Sequence, residues 1–157
     1  MPSAGQTITA AAANAIGIPV APTTTSSNGT ATSAGTETRD AVLGNYQFTA
    51  VAGVRYKAII SGRAPNGSVA NDRYAVGLRY TVGGATPTSS STLIGHASSG
   101  VVVVSGGNGV ASIYHDGTFI PGAGVITICS FWTRLNGTGI ITPTGICEMY
   151  VQGIGYV

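Results

Sequence analysis

A chain of 157 residues is long enough for one domain with a core of its own. Only 8% of its residues are Asp, Glu, Lys or Arg, against about a quarter in ordinary globular proteins, while 43% are hydrophobic. That balance excludes disorder driven by charge repulsion, and a net charge of +2 from scattered residues excludes a nucleic-acid footprint. No run reaches the roughly eighteen apolar residues of a membrane span, so no membrane contact is expected.

In chain order, residues 1–36 carry no charged side chain and are dominated by Ala, Thr, Ser, Gly and Pro. The opening MPSAGQTITAAAANAIGIPV lacks the basic n-region of a signal peptide, and Pro2, Gly5, Asn14 and Gly17 interrupt any apolar stretch. TITAAAANAIGI suits a short helix, capped by Thr9 and stopped by Gly17 and Pro19. TTTSSNGTATSAGT has no periodic apolar face and should be extended or irregular. Residues 1–40 are therefore expected to form an arm and residues 41–157 the domain. The sparse apolar residues of the arm, Ile8, Ala11, Ala12, Ile16, Ile18 and Val20, are its candidate docking contacts.

From Tyr46 the pattern is β. In VRYKAIIS, Val54, Tyr56, Ala58 and Ile60 share one face, and in DRYAVGLRYTV the residues Tyr74, Val76, Leu78, Tyr80 and Val82 do the same. Further strands are expected in YQFTAV, STLIGHA, VVVVS, VASIYH, VITICSFWTR, TGIIT and ICEMYVQ. Turn chemistry separates them at APNGSVAND, VGGATPTSSS, SGGNG, HDGTF and LNGTG. Short strands with no crossover helices predict an all-β fold, an antiparallel sandwich or jelly roll with an extended arm. In the closing EMYVQGIGYV, Glu148 to Val151 should end a hairpin and Gly153 and Gly155 should turn the chain. Tyr150, Ile154, Tyr156 and Val157 are then candidate subunit-interface residues.

Catalytic patterns are sparse. His115 adjoins Asp116, but Asp-Gly is a hairpin signal that would set both on a loop tip. The five acids, Glu37, Asp40, Asp72, Asp116 and Glu148, form no evident carboxylate pair. SGGNGVA and IPGAGV lack the residues of a phosphate loop. Cys129 and Cys147 lie in separate apolar strands, as buried thiols or as a bridge between strands in register, with no metal spacing. Asn28, Asn66 and Asn136 head Asn-Gly turns. The tyrosines and Trp132 fit a β core or interface, with a sugar-binding face as the alternative. Arg55, Lys57, Arg73 and Arg79 would form one basic contact face if their two strands pair. No enzyme activity and no cofactor are expected.

SAGQTITAAAANAI resembles the Gly, Leu/Ile-Thr-Ala-Ala, Asn start of small virion proteins of tailed bacteriophages. VAGVRYKAIISGRAPNGSVANDRYAVGLRYTVGG is similar to a β-sandwich module of minor tail and capsid-decorating proteins of phages infecting actinobacteria, in which a Gly-x-Arg-Tyr strand precedes an Asp-Arg strand. FWTRLNGTGIITPTGICEMYVQGIGYV resembles its closing hairpin, although Gln152-Gly153 replaces the two acids of Val-Glu-Asp-Ile-Gly. The resemblance implies a non-enzymatic virion protein assembled in the host cytoplasm and exposed on the virion surface. It would be a homo-oligomer, a trimer, contacting the major capsid protein or tail proteins. Capsid decoration through the arm is the expected role, with a minor tail or tail-tip protein that binds host carbohydrate as the alternative.

Overall fold

The computed structural model describes residues 11, 16–17, 20, 22–25, 27–33, 35–69, 71–95, 101–102 and 112–157, with the side chains of 63, 65, 101 and 102 left aside. Among the described residues there are ten strands: β1 (Thr23–Thr25), β2 (Thr38–Arg39), β3 (Tyr46–Ala50), β4 (Val54–Gly67), β5 (Arg73–Val82), β6 (Thr92–Ile94), β7 (Val101–Val102), β8 (Ile113–Phe119), β9 (Gly124–Asn136) and β10 (Ile141–Tyr156). One sheet has the order β1-β10-β4-β8. The other runs β2-β9-β5-β6, with β3 also on β9 and β7 also on β5, and every strand pairing is antiparallel. The expected all-β sandwich is what the chain forms.

Period-two alternation explains the packing. On β4, Val54, Tyr56, Ala58 and Ile60 face inward and are buried, and on β10 so are Cys147, Met149 and Val151. They meet Tyr74, Val76 and Leu78 of β5 and Ile126, Ile128 and Trp132 of β9 across the sandwich. Two aromatic groups fill it. Tyr74 stacks on Trp132 with centroids 5.7 Å apart, and Phe48, Tyr56, Tyr80 and Phe119 form a tilted cluster. Val82, at the end of the same alternation, lies beyond the core and is exposed.

Three expectations about the later strands change. TGIIT and ICEMYVQ are one strand, β10, which passes Gly145 on a bulge between Thr144 and Cys147 and continues through a second irregularity at Gly153/Gly155. Gly62 opposes the first bulge with φ +106°, and a Cβ there would lie 2.2 Å from the Ile146 carbonyl oxygen. The chain therefore does not turn at Gly153 and Gly155. Tyr156 pairs with Val54, and the Val157 N–H donates to the Gly53 carbonyl. Asp116-Gly117 is not a turn either. It lies within β8, where the absent side chain of Gly117 lets the backbone at Ile94 and Gly95 approach. Asn66 likewise lies in β4, paired with Thr142.

Within the expected arm, the described residues 16, 17, 20, 23–25, 29 and 32 pair with β10 at points along most of its length. Gly17 N donates to Gly153 O, Val20 N to Val151 O and Gly29 N to Pro143 O. Thr23–Thr25 pairs with Cys147–Met149, and Thr32 exchanges both backbone hydrogen bonds with Ile141. This segment has no apolar period because only Ile16 and Val20 among its described residues pack on the core; backbone pairing holds the rest. The expected helix at TITAAAANAIGI falls almost wholly outside the described residues.

The crossing to the second sheet is fastened by Asp40. Its buried Oδ1 accepts from the backbone N–H groups of Thr30, Val42 and Leu43 at 3.2, 3.1 and 3.4 Å, while its own N–H donates to the Ser130 carbonyl. Thr30 Oγ1 accepts in return from Ala41 N at 2.9 Å. A carboxylate satisfied by several backbone donors is costly to remove, because each donor is then left buried without a partner. Asp40→Ala is expected to lower the free energy of unfolding by about 2–4 kcal/mol. Thermal denaturation followed by circular dichroism checks this, and an unchanged midpoint would show that the crossing does not depend on Asp40.

Candidate interaction face

The outward face of the four-stranded sheet is set by the same alternation that builds the core. Register places Glu148, Ser61 and Tyr114 in one row across β10, β4 and β8, then Tyr150, Ile59 and Asp116, then Gln152, Lys57 and Thr118. Tyr114 is 61% exposed and its hydroxyl donates to Asp116 Oδ2 at 3.2 Å. Lys57 Nζ forms an ion pair with the same carboxylate oxygen. That pairing holds the Asp116 carboxyl below the usual carboxylate range and raises the Lys57 ammonium above its ordinary value. Tyr150 is half-buried between Glu148 and Gln152, and with Pro22 these three line an open cleft of about 380 Å³. Gln152 Nε2 donates to the Gly17 carbonyl at 3.3 Å, which fixes one wall of the cleft.

Exposed apolar residues occur at both ends of the sandwich. At one, Val69, Leu135 and Ile140 are exposed around loops held by Asp72, whose carboxylate accepts from Thr138 N and Gly139 N. At the other, Val82, Ile120 and Val125 are exposed.

Of the expected docking residues, Ile8, Ala12 and Ile18 lie outside the described residues and Ala11 is exposed. Ile16 and Val20 are half-buried against the protein's own core. The basic face does not form, because β4 and β5 belong to different sheets and do not pair. Arg55 and Lys57 sit on one sheet, Arg73 and Arg79 on the other. Arg79 binds Glu37, with Nη2 donating to Oε1 at 3.1 Å, and also the Ser91 carbonyl. Among the expected interface residues, Tyr150 is half-buried on the outward face and Ile154 and Val157 are exposed, while Tyr156 packs on the core. Sequence reasoning passed over Tyr114, Glu148 and Gln152 as a group. Their shared parity on β8 and β10 is the available signal, hidden because the strand VASIYH is expected to end in a turn at HDGTF.

No catalytic set appears among the described residues. His115 and Asp116 are neighbours on a strand and so point to opposite faces. His115 is buried inward with Nε2 unpaired. Cys129 and Cys147 form no disulfide and lie in different sheets, and burial pushes the Cys129 thiol up. No group of three or more His, Cys, Asp or Glu side chains suited to a metal occurs among the described residues. No described helix is long and apolar enough to cross a membrane.

No family model matches the chain, and no curated protein matches it. Among solved structures it is similar to the VP2 subviral particle of infectious bursal disease virus, at 7% identity and a TM-score of 0.36 over 86% of this chain. The Gt strain of that virus gives 7% identity and 0.35 over 90%, and the Gx strain 10% and 0.34 over 89%. This chain spans 37% to 39% of the length of those viral chains. At such TM-scores the likeness carries no argument about function.

Burial holds the His115 imidazole below its ordinary value of 6.5, against the smaller opposing pull of Asp116. Between that lowered value and 6.5 the unfolded chain binds a proton that the folded chain does not, so stability falls as pH decreases through this window. Urea unfolding at a series of pH values from about 7 to about 5 should show this loss, and His115→Leu should flatten that part of the curve. Parallel curves for the two proteins would show that His115 does not titrate between the states.

Proposed function

We propose that this protein is a structural, non-enzymatic component of a virion, and specifically a capsid decoration protein of a tailed phage infecting actinobacteria. The observation that carries the reading is the pair of apolar ends on one low-charge sandwich. Val69, Leu135 and Ile140 at one end and Val82, Ile120 and Val125 at the other give contacts to two neighbours at once. Cementing a shell needs that bivalence, and self-association into a trimer uses one end while the other meets the major capsid protein. The resemblance of the opening and closing segments to small phage virion proteins supports the same reading. Ile16 and Val20 are already engaged with the sheet. Attachment through the arm therefore falls to residues 1–15, with Ile8, Ala11 and Ala12 as its apolar contacts.

A minor tail or tail-tip position is the second reading, favoured by the outward cleft at Tyr150, which suits a host surface better than a capsid lattice. Copy number in purified virions separates the two, hundreds for a capsid protein and a handful for a tail protein.

Deleting residues 1–15 tests the docking role without stripping β1 from β10. The truncated protein is expected to unfold at the same temperature as the full chain and to be lost from particles in co-sedimentation. Retention at the full-length level would overturn attachment through this segment.

A further inference from the structure

We propose that the cleft at Tyr150 is a glycan-binding site, taking a pyranose ring of a neutral or amino sugar. Its walls are Pro22 and Tyr150, and its polar groups are Glu148 and Gln152. Glu148 has no hydrogen-bond or ion-pair partner among the described residues, and the nearby cation, Lys57, is committed to Asp116. Gln152 donates one of its two amide N–H groups to Gly17 and leaves the other N–H and its carbonyl oxygen open. Among the described lining residues the open acceptors are the Glu148 carboxylate and the Gln152 carbonyl oxygen, and the open donors are the Tyr150 hydroxyl and the second Gln152 N–H. A ligand rich in hydroxyl or ammonium donors satisfies them, whereas an anion does not.

Shape points the same way. A volume of about 380 Å³ falls at the small end of ligand sites, roughly 300–1,000 Å³, and this cleft is open on its outer side. It holds one face of a ring and leaves the other in water, as a tyrosine ring packed on the C–H face of a sugar requires.

The face also extends. Tyr114 lies two strands and one two-residue step from Tyr150, a separation of about 12 Å from strand spacing and rise. That is longer than one ring and comparable with a short oligosaccharide. Between the two tyrosines lie Ser61 and Ile59 of β4, and Asp116, hydrogen-bonded to the Tyr114 hydroxyl, adds a polar group beside that path. Tyr114 supplies a second platform, so affinity should rise with chain length.

The inference does not depend on capsid or tail position, and it is tested on the free, full-length protein. The probes are glucosamine, cellotriose, chitosan trisaccharide and N,N′,N″-triacetylchitotriose, titrated by NMR at millimolar concentration. At least one trisaccharide is expected to bind and to shift the Tyr150 and Gln152 signals. Tyr150→Ala should weaken binding by about threefold to tenfold, with Tyr150→Phe keeping most of it. Glu148→Gln should weaken it by a similar factor, and most for the amino sugars. Tyr114→Ala should remove the advantage of a trisaccharide over the monosaccharide. Failure of every probe to bind would overturn the proposal, as would binding indifferent to Tyr150→Ala in a variant with native circular dichroism. A Tyr150→Ala variant that changes oligomeric mass without affecting sugar binding would show the residue to be a subunit contact instead. Loss of particle association on deleting residues 1–15 is read separately and bears only on the virion reading.

Discussion

The fold depends on backbone pairing along both edges of one strand. β10 spans sixteen residues, and its inward side chains, Ile141, Cys147, Met149 and Val151 among them, are fully buried. A strand so placed cannot leave its peptide groups facing a dry neighbour or open to other chains. On one side β4 covers it from Gly67 to Val54, and on the other it is paired at Ile16, Gly17, Val20, Thr23–Thr25, Gly29 and Thr32. The early segment contributes little apolar area. It contributes hydrogen-bonding groups in the right register, and Asp40 then passes the chain to the other sheet.

This division between side-chain and backbone contributions decides what could be read from the sequence. Where strands are held by a buried face, the alternation is plain: β3, β5 and β9 emerge close to their observed positions, and β4 starts where expected but runs six residues past Ser61, through the expected APNG turn. Where backbone pairing dominates, as at Thr23–Thr25, the residues carry no periodic signal, and a Thr- and Ser-rich stretch looks like an unstructured arm. Glycine misled in the opposite direction. At Gly145, Gly153 and Gly155 it marks irregularities inside one long strand, and at Gly117 it marks a close approach between sheets. A local reading of Asp116-Gly117 cannot distinguish a hairpin from such a contact, because the deciding atoms belong to Ile94 and Gly95.

The same limit applied to the outward face. Register is a tertiary property, and only register brings Tyr150 of β10, Lys57 of β4 and Asp116 of β8 together. It also separates residues that the sequence placed together. Arg79 lies on the second sheet, closed in a pair with Glu37, and Arg55 remains exposed on the first. The tyrosines divide in the same way. Tyr46, Tyr56 and Tyr74 are core residues, while Tyr114 and Tyr150 project from the outer face.

That division bears on how a protein with so little charge presents a surface. Four of its seven basic and five acidic residues, Lys57 with Asp116 and Arg79 with Glu37, are committed to two pairs, and Asp40 and Asp72 hold backbone N–H groups. Glu148 stands apart as an acid used in neither way, beside an outward tyrosine and an amide tied down by Gly17. The structure spends its other acids on its own stability. A carboxylate kept open on a rigid strand, with its neighbours held in place, is suited to a partner that arrives with hydroxyl or ammonium donors of its own.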